Sequence, residues 1–249
     1  MDLNADLGEG FGIWRLGDDE ALLAVLTSAN VACGFHAGDP STMRRVCAAA
    51  VAAGVAIGAQ VGYRDLAGFG RRRIEYDLGE LRDDLLYQIG ALDAFAQAAG
   101  DRVRYVKPHG ALYHASVSDE GQAGAVVAAV ASYDPGLPVL GAPGSALLRL
   151  ATGAGLRAVA EGFADRGYLP SGALMPRDRP GALVTDPDLV ARRAVRMVVQ
   201  GSVLAIDGSE VSCAVESLCV HGDTPGAVEL ATAVRAALAE AGVPLMPFG

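Results

Sequence analysis

Val31-Ala32-Cys33-Gly34-Phe35-His36-Ala37-Gly38-Asp39-Pro40 is a short apolar run, then a histidine, then an aspartate and a proline. An apolar run of that length, bounded by glycine, predicts a buried strand. Asp39 as N-cap, Pro40 at the first helical position and Gly54 as the stop predict a helix over residues 39–54. The stretch therefore reads as one strand–helix unit with a histidine at the strand's C-terminal end. The same arrangement recurs where Tyr105-Val106-Lys107-Pro108 leads into His109-Gly110, and where Leu218-Cys219-Val220 leads into His221-Gly222. His221 is followed by Asp223, Thr224 and Pro225, which repeats the order of the first unit. In a β/α barrel all strand C-termini lie on the face that carries the active site. Three of the chain's four histidines at such ends predict an enzyme with an imidazole-lined pocket.

Outward from these units, strand-like and helix-like segments alternate along all 249 residues. Strands are expected at 2–6, 30–34, 55–59, 103–106, 138–141, 156–161 and 218–220. Helices are expected at 18–26, 78–99, 119–132, 144–154, 186–200 and 225–241. The 78–99 segment places Leu78, Leu81, Leu85, Ile89, Leu92, Ala96 and Ala99 on one buried stripe. Asp207-Gly208, between 203–206 and 210–214, signals a hairpin turn. Repeated strand–helix units imply parallel strands with right-handed crossovers. The expected fold is α/β: a distorted or incomplete (β/α) barrel of about seven parallel strands, one domain over 1–249. An open doubly wound sheet is the alternative. Two long connections, 61–77 and 163–185, are rich in Gly, Arg and Asp, as binding loops and mobile insertions both are.

Composition narrows the function. Half the chain is apolar (51%), enough for a large core, and the net charge of −9 argues against a nucleic-acid or anionic-membrane partner. Cys33, Cys47, Cys213 and Cys219 form no C-x-x-C motif. Cys33 and Cys219 are expected in strands and Cys47 in a helix, as buried reduced thiols of a cytoplasmic protein. Acidic residues interrupt the N-terminus, so no signal peptide is expected, and charges and glycines break every apolar run short of a membrane span.

The first strand sets Asp2, Asn4 and Asp6 on one face. Surface exposure is the expectation for Asp2. Asp6 and Glu9 lie at the strand exit and are catalytic candidates with His36, His109, His221 and Asp223. Asp39 suits an N-cap better than catalysis. Asp223 is ambiguous, because Thr224 can cap in its place. Lys107 adds a cation suited to a carboxylate or oxyanion, and Arg166 a bidentate clamp. Asn4 and Gln60 complete the substrate-binding candidates. His114 ranks below the other histidines, and Arg71-Arg72-Arg73 reads as mostly solvated with one arginine turned inward. The chain lacks a G-x-x-x-x-G-K-[ST] phosphate loop, a G-x-G-x-x-G turn and an H-E-x-x-H zinc motif. Gly141-Ala142-Pro143-Gly144-Ser145 is at most a weak phosphate cradle. A divalent metal on Asp6, His36 and His109 is compatible with the pattern but not required by it.

Five stretches together resemble the LamB/YcsF family of 5-oxoprolinase A subunits. They are Asp2-Leu3-Asn4-Ala5-Asp6-Leu7-Gly8-Glu9-Gly10, Ser28 through Asp39, Val106-Lys107-Pro108-His109-Gly110-Ala111-Leu112-Tyr113, Phe163-Ala164-Asp165-Arg166-Gly167-Tyr168 and Cys219-Val220-His221-Gly222-Asp223. They run in order over nearly the whole chain. The resemblance implies a glycoside hydrolase/deacetylase-like barrel and ATP-dependent opening of 5-oxo-L-proline to L-glutamate. It implies partner subunits B and C, which would bind the ATP cosubstrate. A homo-oligomer is compatible with this. Carried over by position, the pocket candidates are Asp6, Glu9, His36, Lys107, His109, Arg166, His221 and Asp223. One departure stands out: many family members have histidine where this chain has Gln60, which is a poor metal ligand and no general base at neutral pH. Two rival readings follow: a self-sufficient metal-dependent amide or carbohydrate deacetylase, and a non-catalytic oxoproline-binding subunit.

Overall fold

The computed structural model of the protein describes residues 1–224 and 226–248. Seven parallel strands close into a barrel, one short of the eight of a full (β/α) barrel as expected, and the open doubly wound alternative does not hold. In chain order the barrel strands are β1 (Asp2–Leu7), β2 (Ser28–Ala32), β3 (Ala56–Val61), β4 (Val103–Pro108), β5 (Val139–Gly141), β6 (Ala158–Phe163) and β9 (Ser217–Val220), and β9 closes the ring between β6 and β1. The helices are α1 (Asp19–Leu23), α2 (Pro40–Ala53), α3 (Leu78–Ala99), α4 (Gly110–Ala115), α5 (Glu120–Tyr133), α6 (Ala146–Gly153), α7 (Pro187–Val195) and α8 (Ala227–Glu240). The expected hairpin forms as β7 (Ser202–Leu204) against β8 (Glu210–Ser212), outside the barrel, and Gly208 supplies its positive φ.

Alternation along β1 divides the core in two. Leu3, Ala5 and Leu7 join the apolar layer beneath the helices, with Leu81, Leu85, Ile89 and Leu92 of α3. Asp2, Asn4 and Asp6 point into the barrel, where polar side chains satisfy one another. Asp2 accepts from Thr27 and Ser28, both at 2.6 Å, and from Ser217. It is buried, which corrects the expected exposure, because three hydroxyl donors converge on it from neighbouring strands. Burial raises its carboxyl pKa against those hydrogen bonds. One level up, Asn4 donates to Glu161 (3.1 Å) and Ser217 (2.7 Å), while Asn30 donates to Asn4 (2.7 Å) and Asp6 (2.9 Å) and accepts from Tyr105 (2.6 Å). The ring of Tyr105 has room because residue 58 is glycine: a Cβ there would lie 2.2 Å from it.

Boundaries moved by physical causes. Asp39 accepts from the Ser41 and Thr42 amides and Gly54 takes a left-handed φ of 68°, so α2 starts and stops as expected. β2 begins two residues early and ends at Ala32, which leaves Cys33 just beyond the strand and His36 on a turn. His109 and His221 follow their strands directly. β6 starts at Ala158 because the Leu156 amide still bonds to Ala151 at the end of α6. The helix expected over 186–200 widens into a π turn at Arg196–Gln200. The start of the closing helix at Pro225 lies outside the described residues. All four cysteines are free and buried, and no helix among the described residues is long and apolar enough to cross a membrane.

Candidate active site

The strand C-termini open on a cleft of about 470 Å³. Its floor is built on Lys107, the penultimate residue of β4. The ammonium donates to Glu161 (2.7 Å) and Asp6 (3.2 Å), lies 3.3 Å from Cys219 Sγ, and faces the Phe163 ring at 5.3 Å. Burial works against the charge, but Asp6, Cys219 and Glu161 hold the ammonium pKa well above its usual value. Burial would also raise Asp6, yet Lys107, His221 and His109 outweigh it and keep that carboxyl below its usual range. Burial prevails at Glu161, whose pKa rises. The floor thus sets one lysine against one firmly ionised carboxylate and one that protonates more readily.

His221 stands on the wall. Its backbone N–H donates to Asp165 (3.0 Å), and its Nδ1 lies 2.9 and 3.1 Å from the two oxygens of the same carboxylate. Burial would raise Asp165, but the charge and hydrogen bonds of His221 lower it, so the group is an anion. A carboxylate only accepts, so Nδ1 donates in this contact and Nε2 is the ring nitrogen left for the cleft. Phe163 stacks on the imidazole at 5.3 Å and limits its rotation.

A second group lies behind the opposite wall. His36 and His109 stack with centroids 4.0 Å apart, and a Glu9 oxygen is 3.7 Å from His109 Nδ1. His109 Nε2 donates to the Phe69 carbonyl (3.0 Å), and His36 Nε2 to Gln60 Oε1 (3.2 Å). Burial pushes His109 down to about 4 and His36 well below its usual value, with His109 adding to the fall of His36. Burial, then Asp6 and Asp223, raise Glu9.

Both long connections form the rim, as binding loops do. The 61–77 segment places Phe69 and Gly70 over the two imidazoles and sends Arg71 to Asp223. The 163–185 segment is held by bridges between Arg166 and Leu183 and between Tyr168 and Leu174, and sends Arg177 to the same Asp223 at 3.5 Å. Asp223 is an ion-pair hub. Thr224 does not cap in its place: its hydroxyl is buried without a partner among the described residues.

The structure brings Asp6, Lys107, His109 and His221 to the cleft, with His114 beside them, pushed down to about 4 by burial and by Arg166 and Arg177. It corrects four expectations. Arg166 touches the cleft, but its Nε and Nη2 donate to the Ala182 and Met175 carbonyls (3.0 and 2.5 Å), so the bidentate fork holds the loop together. Asn4 is fully buried, its amide held by Glu161 and Ser217 inside the barrel and not on the cleft lining. Gln60 also lies inside the barrel, its oxygen on His36 and its Nε2 unpartnered among the described residues. The close grouping of possible ligand atoms is Glu9, His36 and His109 rather than one with Asp6, whose Oδ1 accepts from Lys107 and Asn30. Sequence reasoning missed Asp165, Glu161 and Arg177. Asp165 could have been found as the only carboxylate in Phe163-Ala164-Asp165-Arg166-Gly167-Tyr168.

The family model described as the LamB/YcsF family matches residues 1–249. The 5-oxoprolinase A subunit of Streptomyces griseus is 63% identical over 248 residues, covering 100% of this chain and 99% of that protein. That of Mycobacterium avium is 59% identical over 248 residues, covering 100% and 98%. Among solved structures, the lactam utilization protein from Thermus thermophilus superposes with a TM-score of 0.94 at 48% identity, covering 99% of each chain. A putative cellobiose-phosphate cleavage protein from Enterococcus faecalis, at 15% identity and TM-score 0.58 over 99% of this chain and 95% of that one, shares the fold alone.

Proposed function

The chain belongs to the LamB/YcsF family, and from that premise we propose that it is the A component of a cytoplasmic 5-oxoprolinase. In this reading it is a single catalytic domain that opens the ring of 5-oxo-L-proline to L-glutamate, with B and C partners that use ATP. One observation carries the catalytic assignment: His221, held by Asp165, presents its Nε2 to a cleft whose floor is the Lys107–Asp6–Glu161 cluster. The likeness to 5-oxoprolinase A subunits supplies the substrate class.

A lactam is an unactivated amide, and this chain carries no recognisable nucleotide-binding motif. A partner therefore phosphorylates the amide oxygen, which makes the ring carbon a better electrophile. In the barrel, water adds to that carbon while His221 Nε2 takes its proton, the imidazolium returns the proton to the ring nitrogen as the C–N bond breaks, and a second water cleaves the resulting carboxyl phosphate to L-glutamate and inorganic phosphate. The arginine rim around Arg71 and Arg177 attracts the carboxylate and the phosphoryl group, and Lys107 stabilises negative charge that develops near the floor.

The test is glutamate formation from 5-oxo-L-proline by the purified chain, alone and with B and C, with and without ATP. Activity is expected only with partners and ATP together, and His221→Ala should lower it by about 100-fold or more. Turnover by the chain alone without ATP would replace this reading with a self-sufficient hydrolase.

A further inference from the structure

We propose that Glu9, His36 and His109 form a binding site for one divalent transition-metal ion, zinc being the ion that suits the donor set. One donor atom from each residue lies within 4.8 Å of the other two, and all three side chains are buried. Glu9 Oε1 and His109 Nδ1 stand 3.7 Å apart. That gap is too wide for a hydrogen bond, and two metal bonds of about 2 Å each can span it.

The two rings stack face to face with centroids 4.0 Å apart, so one must turn for both Nδ1 atoms to reach a single ion, but their other contacts are those that ligating imidazoles make. A protein that uses histidine as a ligand usually fixes the other ring nitrogen with a carbonyl or carboxylate acceptor. Both rings have this: the Phe69 carbonyl holds His109 Nε2, and the Gln60 amide oxygen holds His36 Nε2. Each ring is left with a Nδ1 lone pair. That of His36 is buried with no partner among the described residues. Two glycines let the backbone pack closely against the rings. A Cβ on Gly62 would lie 2.8 Å from His36 Nδ1, and one on Gly70 would lie 2.8 Å from His36 Cβ and 2.9 Å from His109 Cδ2. Two neutral imidazoles and one carboxylate suit a borderline-soft divalent ion better than magnesium or calcium. His109 forms part of the cleft wall, which gives an ion a route in.

The proposal stands apart from the oxoprolinase reading, because metal binding is measured on this chain without partners, ATP or lactam. The protein, freed of any histidine tag, is stripped with chelator and titrated calorimetrically with zinc chloride, and its metal content is measured after dialysis. One equivalent per chain is expected, with a rise in Tm. Cobalt(II) in place of zinc should give visible d–d absorption characteristic of mixed nitrogen and oxygen ligation. Glu9→Gln and His36→Asn, each checked for folding by circular dichroism, should weaken zinc binding at least tenfold. Failure of the wild-type chain to take up stoichiometric zinc or cobalt would overturn the site, as would unchanged affinity in both folded variants.

Discussion

Lys107 is almost wholly enclosed, and its charge persists because two carboxylates and a thiol surround it. Removing one partner of such a group leaves the others buried and uncompensated, which costs about 3–5 kcal/mol. Lys107→Met should therefore lower urea stability by about that much, and adding Glu161→Gln should restore part of the loss; an additive double variant would show that the two side chains do not interact. Asp165 makes a pH-dependent contribution. Its folded pKa lies below the ordinary 3.8, so its stabilisation is complete above that value and is lost as pH falls through the folded one. The difference in Tm between wild type and Asp165→Asn should be full at pH 7 and shrink below about pH 4; a difference independent of pH would assign the effect to packing alone. The contrast between these residues explains what the sequence revealed. Lys107, His109 and His221 were legible because a strand end announces its own position. Glu161 and Asp165 were not, because their roles depend on pairing across the barrel and on which neighbour faces inward: Asp165 turns to His221, whereas the adjacent Arg166 turns to backbone carbonyls.

Elements with strong local chemistry were the readable ones. Asp77 caps α3 and Gly100 ends it with a φ of 98°, and the helix runs from Leu78 to Ala99 as its periodicity requires. α4 was missed because six residues after His109 are too few to display a period. The π turn after α7 was missed because nothing in Arg196-Met197-Val198-Val199-Gln200 distinguishes it from an ordinary helical turn. β3 shows how a strand's identity is fixed by what lies opposite it. Gly58 pairs in register with Tyr105, and the phenol occupies the volume that a side chain at 58 would fill. The Tyr105 hydroxyl donates to Asn30, so the ring has no free direction in which to retreat. Gly58→Ala should thus destabilise the barrel by about 1–3 kcal/mol through overpacking. Pairing it with Tyr105→Leu should relieve the clash while leaving Asn30 short of a donor. Urea unfolding of the four proteins would show this as a positive coupling between the two sites, and independent effects would refute the proposed contact.

The barrel as a whole was legible because the strand–helix alternation permits few other closures. The way its mouth is covered was not, because it depends on contacts between segments far apart in the chain. Asp223, on the turn after β9, binds Arg71 from one long loop and Arg177 from the other. Each loop also has attachments of its own, Gly62 to Gln88, Arg73 to Asp119 and Phe69 to His109 in one, Arg193 to the Arg166 carbonyl and the Arg166 fork in the other. Asp223 is the one of these anchors that the two loops share. An ion pair near the surface contributes little to global stability, about 0–1 kcal/mol, yet it can govern local opening of a loop that it anchors. Asp223→Ala should leave the urea midpoint nearly unchanged while trypsin cuts several-fold faster after Arg71 and Arg177. Mass spectrometry of early cleavage products would identify the sites. Cleavage at the wild-type rate would mean that the loops' own attachments hold them without Asp223. Faster cleavage at both positions would mean that one carboxylate couples the two loops, so that opening on one side of the cleft loosens the other.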